Sequence, residues 1–131
     1  MKQKKRNARQ KRYRRGLFAE YIAVLYLLVK GYRILKRRYK TPVGEIDIIA
    51  RKKDTFVFVE VKARQNIEQG LYSITETSKQ RIRRAAEYFG MMNNTSGTSR
   101  FNPYRQDARF DVIIFSNWHI RHVQNAWGAG E

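Results

Sequence analysis

A chain of 131 residues with 28 lysines and arginines against 11 aspartates and glutamates, a formal net charge of +17, fits one domain with one core and attracts polyanions, nucleic acid first among them. The absence of cysteine excludes disulfides, thiolate nucleophiles and cysteine-ligated zinc, and agrees with a reducing compartment, so a cytoplasmic location is expected.

Residues 1–15 hold nine of the basic side chains and no acid, which leaves nineteen basic against eleven acidic over residues 16–131, a net +8. With almost nothing apolar to bury, residues 1–15 are expected to form a disordered basic tail that adds non-specific electrostatic affinity. The next stretch, LFAEYIAVLYLLV, follows a basic N-terminus as a signal peptide would, but Glu20 interrupts it and no small-residue cleavage site follows. Its 13 residues are also short of the roughly 20 that span a bilayer, and no membrane partner is expected. It reads instead as a helix over residues 16–30, apolar nearly all round and packed deep in the domain, with Gly31 ending it.

Residues 32–40 alternate apolar and basic positions and predict a strand, closed by the turn Thr41-Pro42-Val43-Gly44. Residues 45–51 and 55–63 are rich in β-branched and aromatic side chains and are separated by Lys52-Lys53-Asp54, which predicts an antiparallel hairpin. Residues 64–74 read as a loop. Ser73 or Thr75 then caps a helix to about residue 92, apolar at Ile82, Ala85, Ala86 and Phe89 and basic at Lys79, Arg81, Arg83 and Arg84. Residues 93–105, with Gly97 and Pro103, read as a loop near the sheet edge. Residues 108–115 form a further buried strand, paired with residues 118–123 through the turn Ser116-Asn117. The order of elements predicts an α/β sandwich around a mixed sheet of about five strands, spanning residues 16–124, with a tail over residues 125–131.

In the second hairpin strand, Thr55, Val57, Val59 and Val61 fall on one face and Phe56, Phe58, Glu60 and Lys62 on the other. A two-residue loop at Lys53-Asp54 sets Asp47 opposite Glu60 and Glu45 opposite Lys62. A slip of one residue, or a bulge, removes this arrangement. Neighbouring carboxylates favour a hard divalent cation between them, which can polarise a phosphodiester and acidify water, while the lysine holds that water or stabilises developing charge. The spacing equally admits a second reading, an ion-pair ladder on a solvated sheet face. Glu20, surrounded on its helix by Leu17, Ala23, Val24 and Leu27, is either a helix-start acid or a further ligand aimed at the same site.

With Glu20, GEIDIIA at 44–50 and FVEVKAR at 58–64, the chain resembles the YraN-like bacterial proteins, an uncharacterised family. The resemblance implies a restriction-endonuclease-like fold allied to the PD-(D/E)xK nucleases and the archaeal Holliday-junction resolvases. It implies Asp47 and Glu60 as the metal-binding pair, Lys62 as the motif lysine and Glu20 as the helix acid, with magnesium or manganese as cofactor. Lys79 and Asp111 match further recurring positions, Lys79 as a phosphate contact and Asp111 as either a functional or a structural acid. Arg37 and Arg38 stand where the family tends to show an Arg-Asn pair. Together with Arg64, Lys79 and Arg81 they are the candidate nucleic-acid contacts.

His119 and His122 lie three apart on a strand and face opposite ways, so they share no metal. Trp118 and Trp127 admit base stacking or, more commonly for an aromatic near a terminus, packing, and the sequence assigns neither a role. The expected activity is metal-dependent hydrolysis of DNA, DNA before RNA, with branched or junction substrates implying a dimer. The alternative is a catalytically silent nucleic-acid-binding or ribosome-associated protein on the same fold.

Overall fold

The computed structural model describes residues 1–93 and 108–128. Helix α1 (Lys2–Val29) leads into strands β1 (Arg33–Thr41), β2 (Gly44–Lys52) and β3 (Thr55–Ala63), which are followed by helices α2 (Ile67–Tyr72) and α3 (Glu76–Met92) and by strands β4 (Ala108–Ser116) and β5 (His119–Trp127). The five strands form one sheet in sequential order, antiparallel except for the parallel pair β3 and β4. A parallel neighbour needs a long crossover, and α2 and α3 lie in that connection.

One face of the sheet is covered by α1 and the other by α3 with the short α2, whose Ile67 packs against the same cluster as α3. Ala19, Ala23 and Leu27 of α1 are buried, and Ala23 and Leu27 share a cluster with Tyr32, Ile48, Ala50, Val57, Val59 and Ile113. Ile82, Ala85, Ala86 and Phe89 of α3 close the other face over Ile46, Ile49, Phe58, Phe110, Val112 and Ile114. The small residues of both helices let their backbones approach the sheet, so large β-branched strand residues fill the layer between. Thr75 is the N-cap of α3, its hydroxyl accepting from the Ser78 amide at 3.1 Å. The predicted mixed sheet and α/β sandwich are observed, and the hairpin loop is the two residues Lys53-Asp54, with Lys52 opposite Thr55.

Several boundaries differ from the sequence reading. The first helix starts at Lys2, because residues 2–15 are helix-compatible lysine, arginine, glutamine and alanine for the most part, without proline or glycine, and propagate the packed half outward. Every residue from 1 to 15 is nonetheless exposed, so this stretch buries nothing of its own. The packed half is one-sided rather than enclosed: Tyr21, Leu25, Leu28 and Val29 face outward. Residues 67–72 are helical where a loop was expected, with Asn66 capping through the Gln69 amide at 2.8 Å. The β4–β5 turn is Asn117-Trp118 rather than Ser116-Asn117, since Ser116 pairs with His119. Strand β5 runs past residue 124 to Trp127, which is 4% exposed and stacks on Phe110 at 5.5 Å. The loop expected over residues 93–105 lies, beyond Asn93, outside the described residues.

Asp111 is a structural acid. It is fully buried, takes both Nε and Nη2 of Arg109 at 2.9 and 2.8 Å, and meets His122 Nε2 at 2.7 Å and the Asn125 amide at 2.9 Å. Burial alone would raise its carboxyl, but these partners outweigh burial and hold it below the usual carboxylate range.

Gly44 is a close-approach position. A Cβ there would lie 2.5 Å from the Arg81 carbonyl oxygen and 3.1 Å from its carbon, so α3 seats directly on the β1–β2 turn. Gly16, inside α1, would meet nothing within 4 Å. The two substitutions therefore carry opposite signs: thermal melts followed by circular dichroism should show Gly44→Ala lowering the midpoint by roughly 5–10 °C. Gly16→Ala should raise it by about 2–4 °C through helix propensity. Equal effects would contradict the close contact at Arg81.

Candidate active site

The β2–β3 ladder begins at the tight loop and stops at Ile48 opposite Val59. Beyond that point the strands pair only with their outer neighbours, Gly44 to Ile46 with β1 and Glu60 to Ala63 with β4. The sheet therefore forks, and a fork leaves backbone donors unmatched. Asp47 fills the gap: its Oδ2 accepts the Val61 amide at 2.8 Å, a side chain doing what a strand carbonyl would otherwise do.

The local backbone explains how Asp47 comes to point into the fork. Arg38, in the antiparallel register between Arg37↔Ile48 and Tyr39↔Ile46, has φ +50, the left-handed region that a non-glycine residue adopts at a cost. Arg37 lies over the Tyr21 ring of α1 at 5.1 Å, whereas Tyr39 meets Phe89 of α3 at 5.6 Å. Likewise Ile48 packs with α1 and Ile46 with α3, although strict alternation gives both one face. Both strands thus change face across Arg38 and Asp47.

Glu60 and Lys62 approach the same point from β3, with Lys62 Nζ 3.2 Å from Glu60 Oε1. The Asp47 and Glu60 carboxyls are within hydrogen-bonding reach of one another. Burial pushes Asp47 up to about 7, and the Glu60 and Glu20 charges add to burial against the Val61 amide and Lys62. Glu60 is also raised, chiefly by burial, with Lys62 and the Asp47 bond acting in the opposite direction. Glu20 extends from α1 toward this pair but is held by Arg38, Nε to Oε2 2.9 Å.

Asp47, Glu60 and Lys62 therefore come near one another with Glu20 bordering them, although Asp47 does not pair across from Glu60 as the two-residue loop predicts, because the ladder ends at Ile48 and Val59. Glu45 does not reach a position opposite Lys62, because the fork opens first; it pairs with Lys40 instead. Among the described residues no three of histidine, cysteine, aspartate or glutamate converge as a group able to hold a metal ion. Glu60 opens on the α3 side into a cleft with Glu45, Ser78 and Arg81, while Asp47 opens on the α1 side into one of about 300 Å³ with Glu20 and Arg38. A third cleft, of about 460 Å³, brings Lys62 and Arg64 together with Arg12 and Arg15 of α1.

The expected phosphate contacts are thus spread around the fork. Arg81 and Arg64 line clefts that reach Glu60 and Lys62, Arg38 is engaged by Glu20, Arg37 lies on Tyr21, and Lys79 pairs with Glu76 at 3.1 Å. Sequence reasoning missed Arg12 and Arg15 by treating them as tail. Arg12 lies four residues before Gly16 and seven before Ala19, and Arg15 four before Ala19, which is the helical signal that places them.

A five-stranded mixed sheet between helices, with two partly buried carboxyls and a lysine at a strand fork, defines an α/β sandwich domain with a polar site where the central strands part. The chain belongs to the Uncharacterised protein family UPF0102, whose profile matches residues 19–115 and so takes in α1 from Ala19, all of the fork and most of β4. It is 43% identical over 122 residues to a UPF0102 protein of Mesorhizobium japonicum, covering 92% of this chain and 91% of that one. A UPF0102 protein of Bradyrhizobium sp. strain BTAi1 is 52% identical over 118 residues, covering 89% of this chain and 82% of the relative. One of Agrobacterium fabrum is 47% identical over 107 residues, covering 82% of each. Among the described residues no helix is long and apolar enough to cross a membrane.

The raised carboxyl of Asp47 gives the site a pH signature. The fold keeps a proton that the unfolded chain, with an ordinary value of 3.8, releases, so stability is full below about pH 4 and declines as pH rises through about 7. Asp47→Asn cannot ionise and retains an oxygen to accept the Val61 amide. Its melting midpoint should match the parent below about pH 4 and exceed it by roughly 5 °C at pH 8. A lower midpoint at pH 8 would mean that Lys62 already neutralises the pair.

Proposed function

We propose that this protein is a metal-dependent nuclease that hydrolyses phosphodiester bonds in DNA, with branched or junction DNA among its substrates. The observation that carries this reading is the approach of two partly buried carboxyls, both raised, beside Lys62 on a domain of net charge +17.

The donor chemistry fits a magnesium or manganese ion. Carboxyls pushed up by burial and by the Glu20 charge, Asp47 by the Glu60 charge as well, mark a place where local negative charge exceeds what nearby cations neutralise, and hard oxygen donors suit those ions. Asp47 and Glu60 would hold it, with Glu20 as third carboxylate once released from Arg38. A bound divalent cation supplies polarisation of the phosphodiester and a more acidic water. Lys62 orients the attacking water and stabilises charge gathering on the phosphoryl oxygens. Arg64 and Arg81, in the clefts on either side, hold the flanking phosphates. The reaction adds water to phosphorus and breaks one bridging P–O bond, the leaving oxygen ending protonated.

A second reading is favoured by a separate observation: each acid already has a protein partner, Glu20 with Arg38, Glu60 with Lys62 and Asp47 with the Val61 amide. On that reading the protein binds nucleic acid, or associates with a ribosome, without cutting. Manganese titration by calorimetry separates the two. A nuclease site should take up the ion, more tightly at pH 8 than at pH 6 because a proton competes for Asp47, and should lose it in the Asp47→Ala, Glu60→Ala double variant.

Cleavage itself is checked with labelled duplex, flapped, junction, single-stranded and RNA substrates in manganese. Each single alanine variant at Asp47 or Glu60 should reduce the rate by about a hundredfold or more. Activity that survives both substitutions, or absence of cleavage on every DNA substrate, would sink the nuclease reading.

A further inference from the structure

Trp118 has no part in the site described above, yet its setting is unusual. It occupies the second position of the two-residue β4–β5 loop, where Asn117 and Trp118 have φ +46 and +65. Such turns favour asparagine or glycine at both positions, and a bulky residue is strained there. The side chain is 79% exposed rather than packed away.

Its orientation is nonetheless fixed. Phe18 of α1 and Phe115 of β4 meet the indole at 5.7 and 5.9 Å with interplanar angles of 80° and 81°, and they contact each other at 5.8 Å. Near-perpendicular contacts from two rings brace the indole. They bury little of it, as its exposure shows.

The platform lies beside the basic cleft. Phe115 pairs with Ala63, and its carbonyl accepts the Arg64 amide at 3.2 Å, so the aromatic triad adjoins the residue that follows Lys62. Phe18 is three residues from Arg15, which shares that cleft with Arg12, Lys62 and Arg64. A braced, solvent-facing ring next to a row of cations is the combination that binds single strands, cations tracking phosphates while a base lies on the ring.

We propose that Trp118 is a stacking platform for an unpaired base of a DNA strand whose phosphates lie in the Arg12, Arg15, Lys62 and Arg64 cleft, so that the ligand is single-stranded on this side of the site. The proposal deepens the nuclease reading by specifying the substrate's local structure. It rests on that reading only for where the strand leads. A continuous duplex keeps its bases stacked on one another and offers none to the ring.

The test uses the whole chain in EDTA, with labelled oligo-dT, oligo-rU and blunt duplex of equal length, read by anisotropy and by tryptophan emission. Trp127, buried on Phe110, serves as the internal reference. Oligo-dT should quench the exposed indole and blunt duplex should not. Trp118→Ala should weaken oligo-dT binding about tenfold and duplex binding less than twofold, and Trp118→Phe should recover most of the loss. Equal losses on both ligands, no loss on oligo-dT, or no binding of oligo-dT would overturn the platform. Quenching by oligo-rU alone would overturn its assignment to DNA. Cleavage is scored separately in manganese. A protein that stacks oligo-dT on Trp118 but cuts no DNA keeps the platform and loses the nuclease reading, whereas cutting of flapped DNA unchanged by Trp118→Ala does the reverse.

Discussion

The bond from the Val61 amide to the Asp47 carboxylate is what allows the middle of this sheet to open. Without it, the parting of β2 from β3 would leave a main-chain donor stranded in a partly buried place, at a cost of about 1–3 kcal/mol. With it, the strands separate where Glu60 and Lys62 emerge, and both helices approach the gap from opposite sides. The same bond turns Asp47 into the plane of the sheet and away from either core. The change of face at Arg38 and Asp47 then lets Ile46 and Tyr39 join the α3 cluster while Ile48 stays with α1, so neither core is broken where the strands part.

The site is electrostatically opposed to the rest of the molecule. A surface field of many lysines and arginines draws anions in, yet at the fork two partly buried carboxyls lie close together with one lysine, Lys62, beside Glu60. Such crowding is retained at the expense of stability, a pattern expected where binding supplies what folding lacks. The buried Asp111 shows the contrast: Arg109, His122 and the Asn125 amide surround it so completely that its carboxyl is lowered, and it has nothing left to offer a ligand.

Much of the layout was readable from residue order. Alternation in Thr55 to Ala63 placed Glu60 and Lys62 on one face, the short Lys53-Asp54 loop set the register, and Thr75 marked the start of α3. What escaped were features set by tertiary geometry. Strict alternation implied that Glu45 would follow Asp47 into the cluster, but strands that diverge stop obeying a common register. The left-handed Arg38 carries no sequence mark, unlike a glycine. Arg12 and Arg15 were hidden by composition, since a charge-rich stretch reads as unstructured unless the helix it extends is considered as well. Trp127 illustrates the converse: a residue near a chain end was left unassigned, although β5 carries it into the core.

Helix α1 has a consequence of its own. Beyond Arg12 its outer part, residues 2–11, reaches about 15 Å as a helix. Like charges recur there at helical neighbours, Lys2 with Arg6 and Lys5 with Arg9, and each pair opposes the coil it decorates. Ionic strength therefore controls this segment's length: added salt screens the repulsion and lengthens the helix while weakening its pull on distant polyanions. In dilute salt the reach is electrical, and in concentrated salt it is mechanical.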